Sequence, residues 1–228
     1  MLRLASYNLH KCRGLTGPHA PERNLAVIRA LAPDIIALQE VDFRLGTRPE
    51  ALPRAMIERE TGLIPAEFNG TGGNSLGWHG QTILMRPELA RTATLRRLPL
   101  PGLEPRGAIA LRLPELTVVG LHLGLARSSR RAQLARISEK LRRLPSEHAV
   151  MMGDFNEWRD DRGFEPIEDF RILAPGPSYP APLPRLKLDR FAVTPGIEIK
   201  NSGVFTEKYA PEASDHLPIW VDIQLPGT

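Results

Sequence analysis

Residues 107–124 read "GAIALRLPELTVVGLHLG", and the way this stretch divides decides the fold. Two apolar runs of strand length, "GAIALRLPE" and "LTVVGLHLG", meet at a Pro-Glu turn, with no helical spacing in either. They extend a run that already holds "QTILMR" and "TATLRRLPL", so that 80–123 is strand-only. A second strand-only run, 186–225, contains "LKLDRFAV", "IEIKNSGVF" and "LPIWVDIQL". Two such runs predict two mixed sheets packed face to face, with helices outside, in an α/β (α+β) protein.

The rest of the chain supplies those helices and a few more strands. "LRLASYNL" reads as a first strand, and "ERNLAVIRALA" as a helix with Leu25, Ile28 and Leu31 on one face. Pro33 breaks that pattern, and "DIIALQEV" follows as a short apolar strand. "PEALPRAMIERETG" reads as a helix stopped by Gly62. The clearest helix is "SSRRAQLARISEKLRRLP", with Ser128 or Ser129 as cap and Leu134, Ile137, Leu141 and Leu144 as its buried stripe. "HAVMMGDFN" is a buried strand with a polar tip, and the proline-dense "LAPGPSYPAPLPR" must be loop. No repeat of 20–50 residues is visible in the sequence, and no linker-like shift in composition. A single domain over 1–228 is expected.

Bulk numbers bound the class. The chain has 228 residues, 42% hydrophobic and 25% charged, which is ordinary globular composition. Its 22 prolines and 19 glycines argue for many turns rather than a helical bundle. One cysteine, Cys12, excludes an intramolecular disulfide. No apolar run nears the roughly 20 residues of a membrane span, and "MLRLASYNLH" lacks the apolar core of a secretory signal. Taken as a native start, it predicts a cytoplasmic protein. A net charge of +4 and a pI near 9.6 suit polyanionic partners or substrates, and equally suit an arginine-rich composition without functional meaning.

Polar residues recur where apolar runs stop. They are Asn8, Glu40, His122, Asp154, Asn156, Asp189 and the pair Asp215–His216. Singly, each reads as a turn former, a helix cap or a core histidine; as an ordered set they read as a hydrolytic site for phosphate esters. A hard cation such as Mg²⁺, or Mn²⁺ in its place, takes the oxygens that Glu40, Asp215 and the Asn8 amide offer. Such a cation polarises a phosphoryl oxygen. A histidine oriented by an aspartate serves a phosphate oxygen or an attacking water near neutral pH.

The motifs "YNLH", "LQEVD", "PRGAIA", "LHLG", "GDFN", "LDRF" and "SDHLP" together resemble those of the endonuclease/exonuclease/phosphatase superfamily. That superfamily includes deoxyribonuclease I, exonuclease III, apurinic endonucleases, inositol-polyphosphate 5-phosphatases and bacterial sphingomyelinases. The resemblance spans about residues 3 to 224 and implies a four-layer αββα sandwich. It further implies that Asn8, Glu40 and Asp215 hold the metal, Glu40 foremost. Asp154 would orient or deprotonate water, Asn156 bind phosphate, and His216 contact the scissile phosphate or act as acid–base. Asp189 would position the second catalytic histidine, and His122 falls where deoxyribonuclease I and sphingomyelinases have a histidine. Arg106 occupies a basic position that touches substrate in nucleases. Two departures stand out: His10 replaces an aspartate of the repair nucleases, and "GQT" at 80–82 replaces a frequent "GNA".

Substrate choice is written less clearly. The opening "YNLHKCRG" resembles an uncharacterised bacterial branch of the superfamily. The arginines at 127–143 fall on the polar face of the long helix, where a solvated surface is the simpler reading. Trp158 either stacks on a base or lipid head group or anchors a loop. His79 beside Trp78 either enters the site or lies on the surface. The sequence reading is therefore a metal-dependent phosphodiesterase or nuclease, with nucleic acid as the substrate and no protein partner. The alternative is a phospholipid or small-molecule phosphodiesterase or phosphatase; a non-catalytic binding module stands behind both, disfavoured because every member of the set is present.

Overall fold

The computed structural model describes residues 1–43, 48–67, 75–143 and 148–226. In chain order the elements are β1 (Leu2–Asn8), α1 (Pro21–Leu31), β2 (Ile35–Gln39), α2 (Arg54–Thr61), β3 (Ile64–Pro65) and β4 (Gln81–Met85). Then come β5 (Thr94–Pro99), β6 (Gly107–Arg112), β7 (Thr117–His122), α3 (Arg127–Leu141), β8 (Ala149–Asp154) and β9 (Arg171–Leu173). The chain closes with β10 (Asp189–Val193), β11 (Glu198–Val204), α4 (Ala210–Ala213) and β12 (Ile219–Gln224).

Two six-stranded mixed sheets result, ordered β11-β12-β1-β2-β4-β3 and β5-β6-β7-β8-β10-β9. The sandwich is as expected, but its sheets are not the two strand-only runs. The run 80–123 gives β4 to the first sheet and β5–β7 to the second, and 186–225 gives β10 to the second and β11–β12 to the first. Turn signals mark where a strand stops, and they carry nothing about which neighbour it pairs with. Each sheet has one central parallel pair, β1–β2 or β7–β8, joined by a crossover through α1 or α3. All other pairings are antiparallel, so both sheets share one sequence of orientations from edge to edge. The structure thus holds an internal repeat that the sequence conceals.

Alternation within strands sorts the core into layers. Leu4, Ile35, Ala37, Val150 and Met152 fill the space between the sheets. Their neighbours Ala5, Tyr7, Ile36 and Leu38 turn outward beneath Leu25, Ile28 and Leu31 of α1. Met151 and Val119 likewise meet Leu134, Ile137 and Leu141 of α3; Leu144 lies outside the described residues. Each such Leu, Ile, Val or Met side chain contributes roughly 1.5–3 kcal/mol on full burial. The sheets approach closely at Gly120, where an added Cβ would stand 3.1 Å from that of Ala37.

Two helix boundaries differ from expectation. Helix α3 begins at Arg127 after an extended Ala126 with no side-chain cap, so Ser128 and Ser129 fall inside its first turn. Helix α2 begins only at Arg54, because Glu50 is drawn into a bridge with Asp42, a bend follows at 51–52 and Pro53 is extended. Gly62 ends α2 as anticipated, at φ 72°. No described helix is long and apolar enough to cross a membrane.

Candidate functional site

The C-terminal ends of both parallel pairs face the same edge of the sandwich. In the first sheet Asn8, Gln39 and Gln81 form a row across β1, β2 and β4. In the second, His122, Asp154 and Asp189 form a row across β7, β8 and β10. Asn8 Nδ2 donates to Asp154 Oδ2 at 3.2 Å and ties one sheet to the other.

Asp154 is the hub of this edge. It is 2% exposed, with His122 Nε2 at 3.5 Å and His216 Nε2 at 3.7 Å from Oδ2. Its Oδ1 accepts the Asn156 backbone N–H at 2.8 Å, a turn that holds Asn156 at φ 50°. The strand reaches this point only because residue 153 is glycine. A Cβ there would lie 1.9 Å from the Leu121 carbonyl oxygen, and φ is 155°. Burial pushes the Asp154 carboxyl up to about 6, with the nearby Asp189 charge adding to it and the His216 charge opposing it.

His216 is oriented from its other nitrogen. Nδ1 lies 2.7 Å from Asp189 Oδ2, the same oxygen that accepts the Ser178 hydroxyl at 2.6 Å. The Tyr179 ring packs on the imidazole with centroids 4.9 Å apart. Burial lowers the imidazolium's pKa, but the carboxylates of Asp189 and Asp154 outweigh it and push it up to about 10. His216 is therefore a cation near neutral pH, poised beside a carboxylate of unusually high pKa.

The acidic residues of the first sheet lie a step further out. Glu40 follows β2 in the left-handed region at φ 54°, and the Lys11 ammonium lies against its Oε2. Ser214 donates to the Asn8 carbonyl at 2.6 Å and receives the His216 N–H at 3.3 Å, which fixes the "SDH" turn against β1. Asp215 Oδ1 stands 3.8 Å from His10 Nδ1. The donor set suits a hard cation: two carboxylates that are partly exposed, and an amide oxygen on Asn8 that among the described residues accepts only the His10 N–H and keeps a lone pair. Glu40 and Asp215 would supply two carboxylates and Asn8 an amide oxygen, and no group of three His, Cys, Asp or Glu side chains among the described residues is arranged to hold a metal ion, so a cation here would keep several waters, as Mg²⁺ commonly does. Glu40 already meets a positive charge in Lys11.

Backbone strain gathers at this edge. Of the nine non-glycine residues with positive φ among the described ones, His10, Lys11, Cys12, Glu40, His79 and Asn156 flank the ends of β1, β2 and β8 or precede β4. Such conformations cost on the order of 1 kcal/mol or more each and concentrate where function fixes the chain.

The remaining two sequence candidates sit at the margin. Arg106 precedes β6 and is nearly buried, its guanidinium held by Glu104 at 2.8 and 3.1 Å. Trp158 is 61% exposed, in a cavity that Asn156 also lines. The Asn156 amide donates to the Leu123 carbonyl at 2.8 Å. His79 is half-buried, packed edge-on against Trp78, whose ring covers Gly107. Sequence reasoning passed over Ser178, Tyr179, Lys11 and Ser214. Ser214 was legible as the first letter of "SDH"; the others come from loops whose path only the fold reveals.

The chain matches the model of the Endonuclease/Exonuclease/phosphatase family over residues 5–216. It is 30% identical to the uncharacterized protein YbhP of Escherichia coli K12, over 98% of this chain and 96% of that one. Its fold is similar to that of a Bacteroides thetaiotaomicron mannosyl-6-phosphatase, with TM-score 0.71, 17% identity, and coverage of 99% and 100% of the two chains. It is also similar to TDP2 of D. rerio complexed with a single-strand DNA product, with TM-score 0.72, 16% identity and 98% of each chain covered.

Proposed function

The chain belongs to the Endonuclease/Exonuclease/phosphatase family, and from that premise we propose that it is a divalent-metal-dependent phosphoester hydrolase acting first on phosphodiesters of DNA or RNA. The observation that carries the proposal is Asp154, buried between two histidines and an asparagine at the meeting of the two sheets.

Asn8, Glu40 and Asp215 would hold Mg²⁺, or Mn²⁺ in its place. When bound, the cation supplies charge stabilisation at a phosphoryl oxygen. The protein's own residues account for the rest. Near neutral pH Asp154 is ionised and accepts a proton from the attacking water as the new P–O bond forms; the ester P–O bond breaks and the leaving oxygen takes a proton from solvent. Its raised pKa makes it a stronger base than an ordinary carboxylate. His216, cationic and fixed by Asp189, donates to a non-bridging phosphate oxygen as negative charge builds. His122 holds the other side of Asp154 and offers its imidazole to the same phosphate. The second amide hydrogen of Asn156, left over from the Leu123 bond, serves a phosphate oxygen.

The test is a panel with Mg²⁺ or Mn²⁺: single-stranded and duplex DNA, abasic DNA, RNA, sugar and inositol phosphates, and phospholipids. Cleavage of a nucleic acid, abolished by chelator and by Asp154→Ala, is expected. Full activity in that variant would remove the site assignment. Hydrolysis of a lipid or sugar phosphate with nucleic acids untouched would replace the substrate class and keep the chemistry.

A further inference from the structure

Beside the hydrolytic edge lies a cavity of about 370 Å³ that the chemistry above does not use. Arg127, Arg130, Arg159 and Arg162 line it, with Trp158 and with Asn156, which the cavity shares with the candidate site. Among the described residues the single carboxylate in the lining, Glu157, is already taken by Arg130 at 2.6 Å. The other three guanidiniums are exposed and loosely held. Arg127 reaches Glu165 at 3.0 Å and Arg162 reaches Asp161 at 3.7 Å, both as solvent-facing pairs that contribute little. The Arg159 guanidinium makes no hydrogen bond or ion pair among the described residues.

The loop that carries Trp158 and Arg159 is not left to solvent. Arg190 on β10, 1% exposed, donates to the carbonyls of Glu157 at 3.1 Å and Arg159 at 3.2 Å, and to Asp160 Oδ1 at 2.8 Å. Its guanidinium also stacks on Phe164, 5.1 Å from the ring centroid. Burying a guanidinium to hold two surface carbonyls in place is a costly arrangement. Its effect is to hold the backbone that carries an exposed indole and, among the described residues, an unpaired arginine next to Asn156. A cation and an aromatic face carried on one held loop suit a ligand with both a phosphate and a flat ring.

We infer that this cavity binds the nucleotide next to the scissile phosphate, with a second phosphate on Arg127, Arg159 and Arg162 and its unstacked base on Trp158. The inference rests on the phosphoester-hydrolase reading of the adjacent site and narrows its substrate. A cationic head group such as choline would be repelled by three arginines, and a saturated polyol phosphate has no face to stack. A base inside a duplex cannot reach the indole, so a single strand or a strand end is favoured.

The test compares a dinucleotide diester with and without a terminal phosphate, using the full chain with Mg²⁺. The phosphorylated form should have the higher kcat/KM, by roughly tenfold or more, since charge-assisted bonds to arginine are strong. That ratio should fall to near one in the triple variant Arg127→Ala/Arg159→Ala/Arg162→Ala. Arg159→Ala alone should lower it in part, without a fold-stability change. Trp158→Ala should cost roughly fivefold or more on the dinucleotide, with a smaller cost on an analogue lacking the base and recovery in Trp158→Phe. An unchanged ratio in the triple variant, or equal Trp158→Ala losses with and without the base, overturns the inference. If the protein hydrolyses no phosphoester, the parent reading fails separately. The cavity is then judged by fluorescence anisotropy in chelator, where equal affinity for phosphorylated and dephosphorylated labelled oligonucleotide overturns it.

Discussion

Asp154 and His216 form a buried pair whose protonation each controls in the other, and this has consequences at two levels. Replacing Asp154 by Asn keeps its shape and its turn with Asn156 but removes the carboxylate proposed to take the water's proton. The expected loss is roughly 10²- to 10⁴-fold in kcat on a small activated diester; unaltered kcat there would assign the base elsewhere. The second consequence is for stability of the metal-free protein. The folded pKa of His216, about 10, lies above its ordinary value of 6.5, so the folded state binds the extra proton between those pH values. Stability from this group is complete below about pH 6.5 and is lost as pH rises toward 10. Asp154, raised from 3.8 to about 6, acts in the same sense at lower pH: its contribution is present below 3.8 and lost as pH rises through 6. Thermal melts in chelator should therefore fall between pH 6.5 and 10 by an amount on the order of a few kcal/mol, and His216→Asn should flatten that limb. A melt of the native sequence that is flat there would mean that Asp189 does not hold the imidazolium. At this scale the sequence was most readable. Strand-end acids, amides and histidines are unusual enough as a set to be recognised, whereas Ser178 and Lys11 are ordinary residues made special by loops that fold back on them.

At the scale of elements, the site depends on how closely β7 and β8 approach. Gly153 sits where the Leu121 carbonyl leaves no room for a methyl group. Gly153→Ala should destabilise by about 2–4 kcal/mol through overpacking and strain, and should shift Asp154 relative to His122. A loss of activity larger than the loss of folded protein is expected, with thermal melts read beside kcat. Arg190 makes a parallel case in the second sheet. Arg190→Met leaves the Glu157 and Arg159 carbonyls and Asp160 Oδ1 without the Arg190 donor, while Lys187 stays on Asp160 Oδ2. It should cost about 3 kcal/mol or more and raise amide hydrogen exchange in 157–163 above that of β8. The elements themselves were largely legible, because period-2 and period-3.6 patterns are local. Their assembly was not. Nothing in "QTILMR" says that β4 joins β2 while the next three strands join a different sheet, since pairing is decided by the fit of distant surfaces. The short β3 and β9 were missed for a related reason: two or three residues carry no period. The start of α3 was misplaced because a serine near a helix start reads as a cap even where the turn begins before it.

For the molecule as a whole, the repeated sheet topology explains why one edge can hold the entire site. Asn8 ends β1 as His122 ends β7; Glu40 stands just past β2, where Asp154 closes β8. Each half thus offers the C-terminal ends of a parallel pair, one carrying the oxygens proposed to hold a cation and the other the groups proposed to move or hold a proton. Packing the sheets face to face joins them through the Asn8–Asp154 bond. The sequence hid this because the two halves share topology and almost no side chains. Four of the chain's basic residues, Arg127, Arg130, Arg159 and Arg162, gather around the cavity beside that edge. If the substrate is a polynucleotide, its binding there releases counterions, and log(kcat/KM) should fall with log[salt] by about 0.7 for each single-strand phosphate engaged. A two-phosphate footprint, one on the hydrolytic residues and one on the arginines, gives a slope near −1.4 on the same basis. The same oligonucleotide with its second engaged phosphate replaced by an uncharged ester should show about half that slope. Stopped-flow or steady-state rates on the two oligonucleotides, between low and physiological salt, read both slopes directly. Equal slopes for the two substrates would leave the basic surface a general property of the chain, with no part in choosing what it cleaves.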